Sequence, residues 1–329
     1  MSQLYIRQEV VRTLPQIDAI LFDIDGVLLD VSGSFRQAIV ETTQFFIKNT
    51  LGVEDSGKLL EPEEIELFKF AGGFNDDWDL TNAAVALCLA KWAQSGAKDT
   101  RAIREYGTSW REYTDAIKRK GGGLKQAEIF ILEMLNSSER REFARHWNQK
   151  QVARLFQEFY AGDDACKELY DFTPEFVHGP GYYQTEKPLI DISLIPKNLK
   201  LGVVTGRSNA ETKLALRQLG LLNRIKEEAR ITPELGAKKP DGHTLVMARE
   251  ALDFKCAVYI CDILDDLNTV LNYREIKGAP SKARIFGAIA LSGPGGDAHK
   301  REFLEKGADM VAPDVNFLLQ YLGNVLKTT

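Results

Sequence analysis

Two kinds of hydrophobic pattern divide the chain. From about residue 187 onward, short apolar runs at 200–204, 229–231, 257–261, 285–291 and 309–312 alternate with stretches of helical spacing such as Asn209–Leu219 and Gly242–Ala251. Apolar runs of this length predict strands covered on both faces, and their alternation with helices predicts a parallel, doubly wound α/β sheet. An earlier run, Ala19–Phe22, predicts a further strand of the same sheet. Residues 31–186 differ. Phe35–Lys48, Pro62–Lys69, Leu80–Ala93, Leu124–Leu135 and Glu139–Tyr160 carry apolar positions every three or four residues, which predicts amphipathic helices. Almost nothing there alternates with period two. Gly121-Gly122-Gly123 reads as a flexible connector and Ser95-Gly96 as a break. The expected organisation is a sheet domain of residues 1–30 and 187–329, with an all-helical domain of residues 31–186 inserted after the first strand.

The chemistry gathers at strand ends. Ile20-Leu21-Phe22 runs into Asp23-Ile24-Asp25-Gly26, two carboxylates spaced i, i+2 at the carboxyl end of a predicted strand, where open sheets bind ligands. Buried and unpaired, each acid would cost several kcal/mol, on the order given for isolated charges. A divalent cation with a phosphate ester compensates both. A second strand ends in Thr205-Gly206-Arg207-Ser208, where a hydroxyl and the backbone N–H groups of a helix start form an anion cradle. Lys238-Lys239-Pro240 places a cation before a turn, and Ile260-Cys261-Asp262-Ile263-Leu264-Asp265-Asp266 ends a third strand in acids. Taken singly, each has a structural reading: Asp23 or Asp262 as a cap beside a turn, Thr205 as an N-cap, Lys239 as a solvated surface lysine. Together, in this order, they do not fall out by chance.

The set resembles the haloacid dehalogenase-like hydrolase superfamily over roughly residues 17–30 and 187–329: Asp23-x-Asp25-Gly-Val, Thr205, Lys239-Pro240, and Asp262 with Asp265 or Asp266 match its four motifs. The closest general likeness is to phosphatases whose helical cap follows the first motif, as in phosphoglycolate phosphatase-like enzymes. The resemblance implies a Rossmann-like core with the Ala19–Phe22 strand central and a helical cap. It also implies hydrolysis through an aspartyl-phosphate. Asp23 would be the nucleophile and Asp25 the acid and base. Mg²⁺ would lie among Asp23, the Asp25 carbonyl and Asp262, with Asp266 as outer partner and Asp265 as the alternative. Thr205, Gly206 and Lys239 would hold the phosphoryl group, with Lys238 as the alternative cation. Dehalogenases of the superfamily lack the second acid, because a halide leaves without a proton, so Asp25 favours phosphate chemistry. One departure is Cys261, where many relatives carry glycine.

Composition narrows the partners. A net charge of −5 gives no electrostatic case for nucleic acid or an anionic membrane. No apolar run of about 18 residues predicts a membrane span, and the polar opening lacks a signal peptide's order. The four cysteines form no metal or redox spacing and read as buried, reduced thiols of a cytosolic protein. The histidines suggest no metal cluster. His178 in His178-Gly179-Pro180-Gly181 reads as a surface residue of a hinge-like segment. The expected partner is a small phosphorylated metabolite.

Substrate choice is expected from the helical domain. The loop Ala71-Gly72-Gly73-Phe74-Asn75-Asp76-Asp77-Trp78-Asp79-Leu80 makes Asn75, Asp76 and Trp78 candidate specificity residues, with Arg207 from the core. Its structural alternative is an interhelical turn with Asp79 or Thr81 as the cap. Two other functions share these residues. A phosphomutase or phosphotransferase uses the same aspartyl-phosphate, and a non-catalytic scaffold would bind a partner through the helical domain.

Overall fold

The computed structural model describes residues 4–74, 76–276, 283–293 and 296–327. The chain divides into two compact units, residues 1–30 with 187–329, and residues 31–186.

The first unit is an α/β layer structure. Its strands are β1 (Tyr5–Ile6), β2 (Ala19–Phe22), β3 (Leu29–Asp30), β4 (Lys187–Pro188), β5 (Lys200–Val204), β6 (Arg230–Ile231), β7 (Cys256–Cys261), β8 (Arg284–Ala290) and β9 (Met310–Ala312). Seven of these form one sheet in the order β1-β9-β8-β7-β2-β5-β6, parallel throughout except for β1, which pairs antiparallel with β9. The strand Ala19–Phe22 is interior, as expected, between β5 and β7. Every residue of β2 and β7 is buried, which is why both read as unbroken apolar runs. Asp18 pins the start of this pairing by accepting the Cys256 N–H at 2.9 Å. The short pair β3–β4 carries the chain out at Asp30 and back at Lys187. Neither it nor β1 was legible, because two residues hold no periodicity.

The second unit is helical, with short α1 (Gln8–Val11) lying in the first unit before it. It contains α2 (Phe35–Leu51), α3 (Ile65–Ala71), α4 (Asp77–Ser95), α5 (Thr100–Glu105), α6 (Trp110–Arg119), α7 (Leu124–Met134), α8 (Ser137–His146) and α9 (Gln149–Tyr170). Helix α4 is its core, with every residue from Leu80 to Lys91 buried. Helices α2 and α9 pack on it, and Phe35 stacks on Tyr160 with centroids 4.3 Å apart. The run Glu139–Tyr160 is not one helix. The chain leaves helical geometry at Trp147–Asn148, and the Asn148 side chain accepts the Gln151 N–H to start α9. Gly121–Gly123 is not a loose connector either. Gly123 N–H donates to Gly72 O at 2.9 Å, and a Cβ on Gly122 would lie 2.3 Å from the same oxygen. The remaining helices, α10 (Asn209–Gln218), α11 (His243–Leu252), α12 (Leu264–Glu275), α13 (Lys300–Lys306) and α14 (Val315–Lys327), belong to the first unit. No described helix is long and apolar enough to cross a membrane.

One buried charge organises the end of the helical unit. Glu158 is fully buried on α9, and its carboxylate accepts Arg154 Nε at 2.6 Å and the backbone N–H groups of Glu175, Phe176 and Val177 at 2.8–3.0 Å. Burial pushes its pKa up, but Arg154 and the three amides outweigh that and leave it below the ordinary range. Glu158→Ala strands Arg154 and the amides, and is expected to cost about 3–5 kcal/mol in urea unfolding. The depressed pKa makes its contribution present above the ordinary glutamate range and lost as pH falls below it. The variant should therefore show a shallower loss of stability in acid than the parent.

Candidate active site

Register brings the strand ends together. Phe22 on β2 lies opposite Val203 of β5 and Ile260 of β7, so Asp23, Thr205 and Asp262 follow at the same edge of the sheet. The main chain holds each in place: Asp23 N–H donates to Ile260 O at 2.9 Å, and Thr205 N–H to Ile231 O at 3.1 Å. Asp262 takes its place because glycines leave room. A Cβ on Gly26 would lie 2.0 Å from Asp262 Oδ2, and one on Gly293 would lie 2.1 Å from it. Gly26 also sits at φ +73°, a region side chains resist. Gly26→Ala is therefore expected to displace the Asp262 carboxylate, and it should remove any Mg²⁺-dependent rise in melting temperature along with about 1–2 kcal/mol of stability.

The cation reaches the same place from the loop after β6. Lys239, which precedes a cis-proline, is 8% exposed, while Lys238 beside it is exposed. Lys239 Nζ lies 3.0 Å from Asp23 Oδ1 and 2.6 Å from Asp266 Oδ1. Burial alone would lower its pKa, but Asp23 and Asp266 raise it further, so the ammonium stays charged. Asp266, not Asp265, faces the site: Asp266 is fully buried in the first turn of α12, and Asp265 is partly exposed. Tyr259, a residue the sequence did not single out, donates its hydroxyl to Val204 O at 3.0 Å and lies 3.3 Å from Asp266 Oδ1. Its alternation along β7 identifies only a core position.

The structural readings of these residues do not describe what is seen. Ser208, not Thr205, caps α10 through a capping box with Glu211, and Thr205 Oγ1 instead accepts the Arg207 N–H at 3.2 Å. Asp262 is not the cap of α12, whose N-cap residue is Ile263, with no side-chain cap bond. Cys261 is buried in the hydrophobic core with its thiol pKa pushed up by burial, as a packing residue would be. Arg207 is not spread toward solvent. It is 2% exposed, and its Nε and Nη2 lie 2.8 and 2.7 Å from Asp25 Oδ1. Gly206 lies at the exposed turn between β5 and α10.

The candidate specificity residues of the second unit are placed differently. Asp76 caps α4 by accepting the Trp78 N–H at 2.9 Å, and Trp78 meets Tyr170 edge to face. Asp79 and Thr81 lie inside that helix, so neither is its cap, and Thr81 returns its hydroxyl to Asp77 O. Asn75 lies outside the described residues. His178 is exposed and meets Asp163 at 3.1 Å, in a segment whose backbone packs against Gly162 of α9.

Electrostatically the site is unbalanced. Among the described residues, four carboxyl groups (Asp23, Asp25, Asp262, Asp266) face two cations, Lys239 and Arg207, so ionising all four would leave two negative charges unmatched. Burial pushes the Asp23 pKa up to about 8; Lys239 opposes this, while Asp266 and Asp25 add to it. Burial and Asp23 likewise push Asp262 well up. Oxygen atoms of Asp23, Asp262 and Asp266 lie within 4.8 Å of one another, and Asp266 Oδ2 is buried without a hydrogen-bond partner. An all-oxygen set of this kind, doubly negative once its acids ionise, fits a hard divalent cation such as Mg²⁺.

The model of the haloacid dehalogenase-like hydrolases matches residues 17–267, and the chain belongs to that family. It is an enzyme, a phosphatase of that family. The structure of phosphatase Tt82 from Thermococcus thioreducens is 26% identical, with a TM-score of 0.57 over 94% of this chain and 99% of that one. A structural-genomics target at 16% identity shares the fold, with a TM-score of 0.60 over 95% of this chain and 100% of its own. A segment is 39% identical over 69 residues to imidazoleglycerol-phosphate dehydratase of Phytophthora nicotianae, spanning 21% of this chain but only 13% of that protein's length.

Proposed function

We propose that this enzyme hydrolyses a small-molecule phosphate monoester with Mg²⁺, by way of a phosphoryl group carried on Asp23. The observation that carries this reading is the cluster itself: oxygens of Asp23, Asp262 and Asp266 lie within 4.8 Å of one another beside the buried ammonium of Lys239. Asp23, Asp262 and the Asp25 carbonyl would hold the ion, with Asp266 behind them fixing Lys239. When bound, the ion supplies charge neutralisation for Asp23 and the phosphoryl oxygens. Lys239 and Thr205, with the Gly206 N–H, bind those oxygens and stabilise their charge in the transition state. Asp23 attacks phosphorus. Asp25 protonates the leaving oxygen and afterwards takes the proton of the water that frees Asp23.

The sheet unit recognises only a phosphoryl group, so we place substrate choice in the helical unit, residues 31–186, acting as a cap, with Asn75, Asp76 and Trp78 as candidates. The test is a phosphate-release screen over small phosphate esters with and without Mg²⁺. It would include imidazoleglycerol phosphate, which the Phytophthora relative's name carries, and sugar monophosphates followed for isomerisation as well as phosphate. Mg²⁺-dependent phosphate release is expected. Isomerised sugar without phosphate release would replace hydrolysis by a mutase reaction, and silence across the panel would remove the catalytic reading.

A further inference from the structure

Arg207 is a costly residue in its position. A guanidinium that is 2% exposed must be matched by acceptors, since an uncompensated buried charge costs several kcal/mol or more. One of its partners is Asp25, the carboxylate the proposed reaction needs for proton transfer, and two contacts to it fall on one oxygen: Nε at 2.8 Å and Nη2 at 2.7 Å from Oδ1. The Arg207 backbone N–H meanwhile donates to Thr205 Oγ1 at 3.2 Å. That bond occupies an acceptor site of the hydroxyl and turns its hydrogen outward as a donor. One residue thus fixes two others, one at the end of β2 and one at the end of β5.

We propose that Arg207 is a positioning residue for the proton transfer made by Asp25. With Oδ1 held by two guanidinium N–H groups, the carboxyl cannot rotate and Oδ2 is the oxygen that gives and takes the proton. The role rests on the phosphatase reading above. In the first half of that reaction a bond forms from an Asp23 oxygen to phosphorus while the bond from phosphorus to the leaving oxygen breaks, and the proton on Asp25 Oδ2 passes to that oxygen. In the second half the attacking water gives a proton to Oδ2, its oxygen bonds to phosphorus, and Asp23 leaves as a carboxylate. The proton balance closes over one turnover. Asp25 is 30% exposed at its side chain, so the Arg207 guanidinium adds to what holds it at the angle both halves require. A general acid displaced by an ångström loses much of its effect.

The experiment uses the full chain with Mg²⁺ and three esters of graded leaving group: 4-nitrophenyl, phenyl and benzyl phosphate. Nitrophenolate needs little protonation and a benzyl alkoxide needs it most. Arg207→Gln is expected to lower kcat by less than about tenfold on 4-nitrophenyl phosphate and by about 10²–10³ on benzyl phosphate, with KM changed by less than about threefold. Arg207→Lys keeps a buried cation in case the glutamine variant does not fold. It donates from one nitrogen where arginine donates from two, and should fall between parent and Arg207→Gln in leaving-group sensitivity. In an Asp25→Asn background, Arg207→Gln should add no further sensitivity. Equal losses on all three esters, a KM increase with kcat intact, or full added sensitivity in the Asp25→Asn background would each overturn the positioning role while leaving the phosphatase reading standing. A parent enzyme that releases phosphate from none of the three would remove both.

Discussion

Asp23→Asn should reduce phosphate release by at least about 10⁴-fold while the protein still folds, because the substitution removes the attacking oxygen and little else. Asp23 is 4% exposed and nearly isosteric with asparagine, and its main-chain bond to Ile260 does not involve the carboxylate. The electrostatic consequence is less intuitive. Asp23 is a carboxylate held at a pKa of about 8 chiefly by burial, with the charges of Asp266 and Asp25 adding to the cost of ionising it. Lys239 retains Asp266 at 2.6 Å when Asp23 is neutralised. The asparagine variant should therefore melt no lower than the cation-free parent at pH 8, and circular dichroism melts beside the activity assay check both halves. A variant that is inactive because it unfolds would not support Asp23 as nucleophile, and one that retains turnover would exclude it.

Removing divalent cations from the parent should cost about 10³-fold or more in rate, the several kcal/mol such an ion contributes to charge neutralisation. The same ion should stabilise the fold, and by an amount that depends on pH in a definite sense. The Asp23 pKa in the folded chain lies above its ordinary value, at about 8, and Asp262 is pushed in the same direction. The cation-free native state therefore holds protons that the unfolded chain has released, so these groups lose stability for the fold as pH rises from the ordinary carboxylate range toward about 8. A divalent ion displaces those protons. Its affinity should climb by about tenfold per pH unit for each proton displaced, and level off above about pH 8 as Asp23 becomes ionised without it. Thermal shifts with Mg²⁺ at pH 6 and pH 8.5 measure this. The rise in melting temperature should be clearly larger at the higher pH and small in Asp23→Asn. A shift independent of pH, or one undiminished in the variant, would place the ion elsewhere.

Much of this arrangement is written in local sequence because parallel strands in register convert chain position into spatial position. Once Ala19–Phe22, Lys200–Val204 and Cys256–Cys261 are strands of one sheet, the residues just past their ends meet whatever lies between them. Local sequence could not say which of two adjacent like residues turns inward. Asp265 and Asp266 are neighbours in the first turn of α12, and Lys238 and Lys239 neighbours before a turn; only the helix direction and the loop path bury Asp266 and Lys239. Arg207 was a candidate for substrate choice, but its pairing escaped for a related reason: its partner Asp25 is 182 positions away, and nothing in either segment announces the other. In the helical unit the failures have a different origin. Glu139–Tyr160 has helical spacing on both sides of Trp147–Asn148, so the break shows only as a capping asparagine within an apparently continuous pattern. Gly121–Gly123 has the composition of a flexible linker, yet at Gly122 the Gly72 backbone leaves no room for a side chain.

The proposed covalent step at Asp23 is open to direct observation. In Asp25→Asn, attack on 4-nitrophenyl phosphate proceeds without an acid, but the water that frees Asp23 has no base, so the phosphoryl group should accumulate. Rapid acid quench with Mg²⁺ present, followed by proteolysis and mass spectrometry, should find one phosphoryl group per chain on the peptide bearing Asp23, with a burst of nitrophenolate of matching size. Steady release of phosphate with that peptide unmodified, or the phosphoryl group on another residue, would contradict the account.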